Sequence, residues 1–289
     1  MTENGSASGG GRLFVVATPI GNLGDVTLRA MEVLRAVPLV AAEDTRHTRR
    51  LFSRHAIPTR LISYHARSPA GRGAELLAHL RGGADLALVT DAGTPGVSDP
   101  GEALVAAWSA EGGVVVPIPG ASAVLAAVAA SGLAGPRWSF EGFLPRGGRD
   151  RRDRLARIAA DERGSLLFEA PTRVAATLRD LAAACGAERA GAVCRELTKL
   201  HESIVRGSLG DLAAAATNGG IPARGEFVLV VASTEGVGGD PPRGAADESA
   251  VARARAEVER LTAEGVARGE AARQVSAATG IPRRSLYGR

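Results

Sequence analysis

The stretch that decides the fold is LALVT (residues 86–90) followed by DAGTPGVSDPG (residues 91–101). A short apolar run of this kind is typical of a buried strand. The eleven residues after it include three glycines, two prolines and two aspartates, more than a strand-to-helix turn needs. Glycine lets a backbone approach a ligand closely, and proline fixes the loop before the ligand arrives. We interpret residues 91–101 as a binding loop at a strand's carboxyl end; a rigid connecting turn is the alternative.

Outward from this loop, apolar runs alternate with helical patterns, which predicts an α/β fold with a mainly parallel first sheet. A second α/β unit follows residues 132–136. The predicted strands are 13–17, 39–42, 61–63, 86–90, 114–118, 165–169, 190–195, 203–206 and 227–231. The predicted helices are 27–36, 45–55, 73–81, 101–110, 121–131, 150–160, 174–184, 208–215, 251–263 and 269–279.

The composition shifts predict the domain organisation. Residues 235–249 are rich in glycine, proline and acid, as linkers are. Beyond them, two helices and a third element from Ile281 resemble a helix-turn-helix, and four arginines without an acid from Arg273 onward favour phosphate contact. We expect a disordered tail (1–11), an N-terminal α/β domain (12–132), a second α/β domain (133–234), a linker (235–249) and a C-terminal helical RNA-contact module (250–289).

The net charge is only +4, but arginine is concentrated in two segments. Residues 45–73 contain seven arginines, three histidines and no acid, and residues 142–157 contain six arginines against two aspartates. Basic clusters beside a binding loop favour a nucleic acid partner, since each phosphate contact releases counterions. A solvated surface is the alternative. The candidate RNA contacts are Arg46, Arg49, Arg50, Arg146, Arg283 and Arg284.

Lysine and cysteine are both rare, and each carries information. Of 35 basic residues, Lys199 alone is lysine. Lysine changes its pKa and acts as a compact donor where arginine does not, so Lys199 is a candidate for chemistry; chance survival is the alternative. Cys185 and Cys194 lack neighbours at metal-ligand spacing, so we expect free thiols, no metal and a cytoplasmic location. No apolar run approaches the roughly 18 residues of a membrane span, so we expect no membrane partner.

Further polar groups gather at other strand ends. TPIGNLGD (18–25) and PIPGASA (117–123) are glycine-containing turns that match neither the dinucleotide fingerprint nor the P-loop spacing. Together with the 91–101 loop they predict a pocket on one sheet edge. AEDTR (42–46) brings two acids, for which helix capping is an alternative to catalysis. RELTKLHE (195–202) contains the sole lysine and could be a site or a salt-bridged connection.

These segments, with EGFLPR (141–146), FEAPTR (168–173) and GEFVLVV (225–231), closely resemble the 16S rRNA cytidine 2'-O-methyltransferases of the tetrapyrrole-methylase-like superfamily. The resemblance covers residues 13–232, and the tail is similar to the family's small helical domain. It implies two α/β domains of the tetrapyrrole methylase type, with S-adenosyl-L-methionine bound in the cleft between them, and a homodimer. It also implies 2'-O-methylation of cytidine-1402 in the decoding region of the small ribosomal subunit.

The resemblance carries site residues over position by position. The expected cofactor contacts are Ile20, Gly21, Asp91, Ala92, Gly93, Val97, Ser122, Ala123, Phe168, Glu169 and Leu197. Methyl transfer to a ribose hydroxyl requires in-line alignment and removal of a proton, which a cation or a base assists. The catalytic candidates are Lys199 first, then Glu43, Asp44 and Glu202. Single-stranded or splayed RNA is the expected substrate form.

Two other functions fit parts of the sequence. A tetrapyrrole methyltransferase acting on a precorrin or uroporphyrinogen would share the fold and the cofactor, but would leave the basic clusters without a use. A non-catalytic nucleic-acid-binding regulator would use the charge, but would leave the glycine turns unexplained.

Overall fold

A computed structural model describes residues 10–69, 71–97, 101–234, 248–263, 265–279 and 286. The chain folds as two compact units, Met1–Glu235 and Gly236–Arg289. The larger unit contains both sheets of the described residues, each with five strands. None of the described helices is long and apolar enough to cross a membrane.

The first sheet is parallel throughout, in the order β3-β2-β4-β1-β5. Its strands are β1 (Arg12–Val16), β2 (Leu39–Ala42), β3 (Arg60–Ser63), β4 (Leu86–Val89) and β5 (Val114–Ile118). The helices are α1 (Leu28–Ala36), α2 (Thr45–Arg54), α3 (Gly71–Arg81), α4 (Glu102–Ala110) and α5 (Ala123–Ser131). β2 and β4 are buried at every position, which explains why their sequences are apolar without alternation. Since β4, β1 and β5 are neighbours, the turns after them meet at one edge.

The second sheet is mixed, in the order β6-β7-β10-β8-β9, and only its β6–β7 pair is parallel among the described strands. Its strands are β6 (Trp138–Phe143), β7 (Gly164–Glu169), β8 (Ala190–Arg195), β9 (Ser203–Ser208) and β10 (Phe227–Val231). The helices are α6 (Gly148–Ala160), α7 (Val174–Cys185) and α8 (Leu209–Thr217). The central strand β10 is buried along its length.

One apolar cluster joins the two sheets. Ile20 and Val124, from the first sheet's edge and α5, pack with Leu166, Ala192 and Val228 from three strands of the second sheet. Burial of apolar side chains is the main favourable term in folding. The shared core therefore explains why both sheets belong to a single compact unit and fixes the cleft at their junction.

Apart from small shifts at element ends, the main differences between the structure and the sequence-based prediction concern β6, the first residues and the C-terminal helices. The sequence pattern does not predict β6: its WSFEGF stretch alternates, but a register shift between Phe140 and Phe143 and a left-handed Gly142 break the periodicity. The predicted disordered tail extends too far along the chain, because Gly11 is already ordered: its N–H donates to Leu80 O at 2.7 Å. The last helices are α9 (Glu248–Ala263) and α10 (Arg268–Thr279), so α9 begins inside the predicted linker. The expected third element, with residues 281–285, lies outside the described residues.

Candidate active site

Two of the glycine turns are fastened to each other by backbone hydrogen bonds. Thr18 N–H donates to Gly93 O at 2.9 Å, and Gly93 N–H donates to Thr18 O at 3.0 Å. The hydroxyl of Thr18 donates to Thr90 O at 3.1 Å. Gly93 has φ 79°, in the left-handed region that glycine adopts without strain. The first residues of this loop, around Gly93, are therefore held in a defined conformation against the turn after β1.

A first cavity of about 410 Å³ lies where the two sheets meet. This volume falls within the usual range for small-molecule sites. Nine of the eleven predicted cofactor contacts line it: Ile20, Ala92, Gly93, Val97, Ser122, Ala123, Phe168, Glu169 and Leu197. The structure thus brings together residues from both sheets; their role as cofactor contacts stays a prediction.

The carboxylate of Glu169 is bound to other groups of the protein, although the residue lines the first cavity. It accepts hydrogen bonds from Ala170 N–H at 2.8 Å and from the Thr177 hydroxyl at 2.6 Å, and lies 3.3 Å from Arg173 Nε. Its side chain is fully buried. Buried charges are stable when paired and hydrogen-bonded in this way. Glu169 therefore shapes the cavity wall and is not a free charge for a ligand.

A second cavity, of about 430 Å³, adjoins the first. Ile20, Ala92 and Glu226 line both cavities. The predicted cofactor residues Gly21 and Asp91 line only the second, and so does Lys199. Helix α2 contributes His47, Thr48, Arg50 and Leu51 to its wall. The first cavity is mostly apolar, whereas the second carries several charged groups.

Lys199 Nζ lies between two carboxylates at the junction of the cavities. It is 3.0 Å from Glu196 Oε1 and 3.0 Å from Glu226 Oε2. Burial by itself lowers the pKa of Lys199, but the hydrogen bonds and charges of the two glutamates outweigh it, so the pKa lies above its ordinary value. An added Cβ at Gly21 would collide with the Lys199 side chain, so only glycine leaves room for it. Lys199 is thus held as a cation between the two carboxylates, and its catalytic role stays a prediction.

The loop that carries Lys199 holds two residues in the left-handed region, Glu196 (φ 53°) and Thr198 (φ 67°). Such strain in non-glycine residues persists only where neighbouring contacts enforce it. The Glu202 carboxylate accepts Thr198 N–H at 2.6 Å, and the Thr198 hydroxyl accepts Asn22 N–H at 3.1 Å. Glu202, predicted as a catalytic candidate, therefore positions the loop, and Thr198 ties it to the first sheet's edge.

The acids after β2 have different roles. Asp44 is the N-cap of α2, accepting from Arg46 N–H at 2.8 Å and from its guanidinium at 2.7 Å, and these hydrogen bonds lower the pKa of Asp44 far below its usual range. The capping alternative is what the structure favours. Glu43 accepts Asp91 N–H at 3.3 Å, and burial raises the pKa of Glu43. Both residues hold Asp91 in place: Glu43 binds its N–H, and the Asp91 carboxylate accepts Asp44 N–H at 2.9 Å.

The predicted RNA-contact arginines separate into groups. Arg49 and Arg50 are exposed on α2, and no hydrogen bond or ion pair to them is found among the described residues. Arg46 is exposed but paired with Asp44. Arg146 is exposed beyond β6. Arg283 and Arg284 lie outside the described residues.

Sequence reasoning misses several residues that line the first cavity. Phe143, which is half-exposed, lies beside the predicted contact Phe168, with ring centroids 5.6 Å apart. Pro171, Cys194 and Glu226 also line it. Cys194 is a free thiol whose pKa burial raises to about 11. Several of these residues belong to motifs such as FEAPTR that the sequence analysis identifies. A motif alone, however, does not show which of its positions face a cavity.

The comparisons agree with this architecture. The chain matches the family model described as Tetrapyrrole (Corrin/Porphyrin) Methylases over residues 12–213. The protein therefore belongs to the tetrapyrrole methylase family. Its fold is similar to that of uroporphyrin-III C-methyltransferase from Thermus thermophilus complexed with S-adenosylhomocysteine, with a TM-score of 0.55 at 19% identity over 78% of this chain and 98% of that one.

Much closer similarity in sequence points to one branch of that family. The chain is 49% identical to a Synechocystis protein named Ribosomal RNA small subunit methyltransferase I, over 96% of each chain. It is 42% identical to the protein of the same name from Xylella fastidiosa, over 96% of this chain and 98% of that one. Nearly full-length matches of this kind include the C-terminal segment after the two sheets.

Proposed function

We propose that this methyltransferase uses S-adenosyl-L-methionine to methylate the ribose 2'-oxygen of a cytidine in 16S rRNA, with cytidine-1402 as the specific position. The observation that carries the proposal is the pair of adjoining cavities, one mostly apolar and one with several charged groups, that share Glu226, with Lys199 beside it in the wall of the second. The names of the relatives at 42–49% identity support the rRNA substrate.

The first cavity fits the methyl donor. The donor's adenine ring suits an apolar wall, which Ile20, Val97, Phe168 and Leu197 supply, and Gly93 permits close approach of the backbone to the donor. When bound, the donor supplies a methyl group already activated by its sulfonium. The structural relative in complex with S-adenosylhomocysteine supports this assignment.

The second cavity fits the acceptor nucleotide. Arg50 and His47 on α2 suit a phosphate, and Lys199 suits an oxygen that becomes negative as its proton leaves. Exposed Arg49 extends the basic surface of α2 beyond the cavity. The chain's own contribution is thus to orient the ribose hydroxyl toward the first cavity and to stabilise its charge.

The remaining expectations become part of this proposal. We propose that residues 12–132 and 133–234 act as two domains around the cleft, that residues 250–289 contact RNA, and that the enzyme is a cytoplasmic homodimer. A tetrapyrrole substrate is the second candidate: the description of the family model and fold similarity at 19% identity support it, whereas the names of the relatives at 42–49% identity do not.

The test offers the purified protein labelled S-adenosylmethionine together with small ribosomal subunits, naked 16S rRNA or uroporphyrinogen. We expect label on a cytidine ribose of 16S rRNA, located by mass spectrometry of RNA fragments. Label on the tetrapyrrole, or on no substrate, would contradict the proposal.

The cofactor assignment has its own matched pair of variants. Gly93 and Gly96 are both left-handed, with φ 79° and 86°, but Gly93 lines the first cavity and Gly96 does not. Gly93→Val should abolish calorimetric binding of S-adenosylhomocysteine, while Gly96→Val, with similar backbone strain, should bind it. Equal affinities would remove Gly93 from the site.

A further inference from the structure

Glu226 is the one acid among the described residues that lines both cavities. Its backbone is fixed on both sides by Glu196: Glu226 N–H donates to Glu196 Oε1 at 2.9 Å, and Glu226 O accepts Glu196 N–H at 2.9 Å. Its side chain, by contrast, is 71% exposed. The fold therefore places the carboxylate at the junction and leaves it accessible.

One oxygen of this carboxylate lies beside a cation. Oε2 is 3.0 Å from Lys199 Nζ, and no hydrogen bond to Oε1 is found in the described part of the chain. Lys199 is held from its other side by Glu196. A cation and an accessible carboxylate are thus adjacent at the point where the donor and the acceptor would meet.

We propose that Glu226 is a catalytic residue that accepts the proton of the ribose 2'-hydroxyl, with Lys199 stabilising the charge that develops on that oxygen. This inference rests on the proposed function. As the hydroxyl oxygen bonds to the methyl carbon, the carbon–sulfur bond breaks and its electron pair stays on sulfur. The hydroxyl proton passes to the Glu226 carboxylate and leaves to solvent after transfer, so charge is balanced.

The other acids near the junction are committed elsewhere. Asp44 caps α2, Glu202 holds Thr198, and Glu169 is buried with Thr177. Asp91 lines only the second cavity and accepts Asp44 N–H. Glu196 accepts from both Lys199 and the Glu226 backbone. The charged and titratable groups that share the second cavity with Glu226 are Lys199, Asp91, His47 and Arg50.

The experiment compares two glutamates that contact the same lysine. Glu226→Gln and Glu196→Gln each remove one carboxylate from Lys199, but only Glu226 lines the cavities. Single-turnover methyl transfer is measured from acid to alkaline pH with small ribosomal subunits and saturating donor. Binding of S-adenosylhomocysteine to the free protein is measured by calorimetry. Glu188→Gln, an exposed site before β8, is the surface control.

We expect Glu226→Gln to lower the rate about a hundredfold and to abolish the fall of the rate at acid pH, because the proton acceptor is gone. Glu196→Gln should lower the rate less, and its rate should still fall at acid pH. All variants should bind S-adenosylhomocysteine within about twofold of the wild type, which also shows that they fold. Glu226→Asp should restore part of the rate.

Equal losses in Glu226→Gln and Glu196→Gln would mean that both act only through Lys199, and would overturn the inference. So would a wild-type rate or an unchanged pH profile in Glu226→Gln. Absence of rRNA methylation by the wild type would instead contradict the proposed function, so the two failures are distinguishable.

Discussion

Arg151 and Lys199 are both cations that pair with carboxylates, but they differ in whether an N–H donor remains free to bind a ligand. All three guanidinium nitrogens of Arg151 have partners: Asp180 at 2.9 Å, Pro145 O at 2.9 Å and the Thr177 hydroxyl at 3.0 Å. Arg151 is 8% exposed. Lys199 Nζ has three donors, of which two face Glu196 and Glu226. Every guanidinium nitrogen of Arg151 is therefore bound within the protein, whereas Lys199 retains one N–H donor at the second cavity.

The comparison extends to the two arginine-rich segments. In residues 142–157, Arg151 is buried, Arg154 pairs with Glu141 at 2.7 Å, and Arg149 pairs with Asp153 at 3.5 Å. On α2, Arg49 and Arg50 have no such partner among the described residues. A count of arginines along the sequence therefore overstates the positive charge that the second segment keeps free, because three of its six arginines pair with acids.

The largest expected effect comes from Lys199→Arg, which keeps the charge and changes its shape. The longer side chain and planar guanidinium would present their donors in different positions beside Gly21, so we expect methyl transfer to fall about a hundredfold, or about 2.7 kcal/mol in the barrier. Single-turnover rates check this, with S-adenosylhomocysteine affinity unchanged as the control. A wild-type rate would show that any cation suffices.

Arg151→Leu should damage the fold and spare the chemistry of the site. Removing the guanidinium leaves Thr177 and Asp180 without their partner, at an expected cost of about 2 kcal/mol in the free energy of unfolding. Urea unfolding measures it. Arg152→Leu, an exposed neighbour on α6, should change stability by less than about 0.5 kcal/mol. Similar values for the two variants would remove the distinction drawn for Arg151.

A smaller effect is expected from the exposed arginines. Arg49→Gln with Arg50→Gln should weaken RNA binding and reduce the slope of log affinity against log salt by about 0.7 per lost contact. The matched control is Arg152→Gln with Arg157→Gln, which removes the same charge from exposed positions on α6. If both pairs lower the slope equally, RNA contacts the two segments alike.

Sequence alone predicts the parts of the fold that local patterns determine. The buried strand β4 with its glycine loop, and Asp44 as a possible cap of α2, follow from periodicity and capping chemistry. The Lys199–Glu226 pair does not, because it arises from the antiparallel pairing of β8 with β10, in which Arg195 lies opposite Phe227. The commitment of Arg151 to Asp180 likewise depends on the packing of α6 against α7.

The most direct test of the central claim, a fixed cation at the junction of the cavities, is an NMR titration of Lys199. Because Lys199 is the sole lysine, lysine-specific isotope labelling gives one side-chain signal. We predict a pKa above the ordinary lysine value, lowered in Glu226→Gln and in Glu196→Gln. A raised pKa also means that the ion pairs stabilise the fold below the unfolded-state pKa and lose that contribution as pH rises through the folded value. A pKa at or below the ordinary value, unchanged in both variants, would contradict the account.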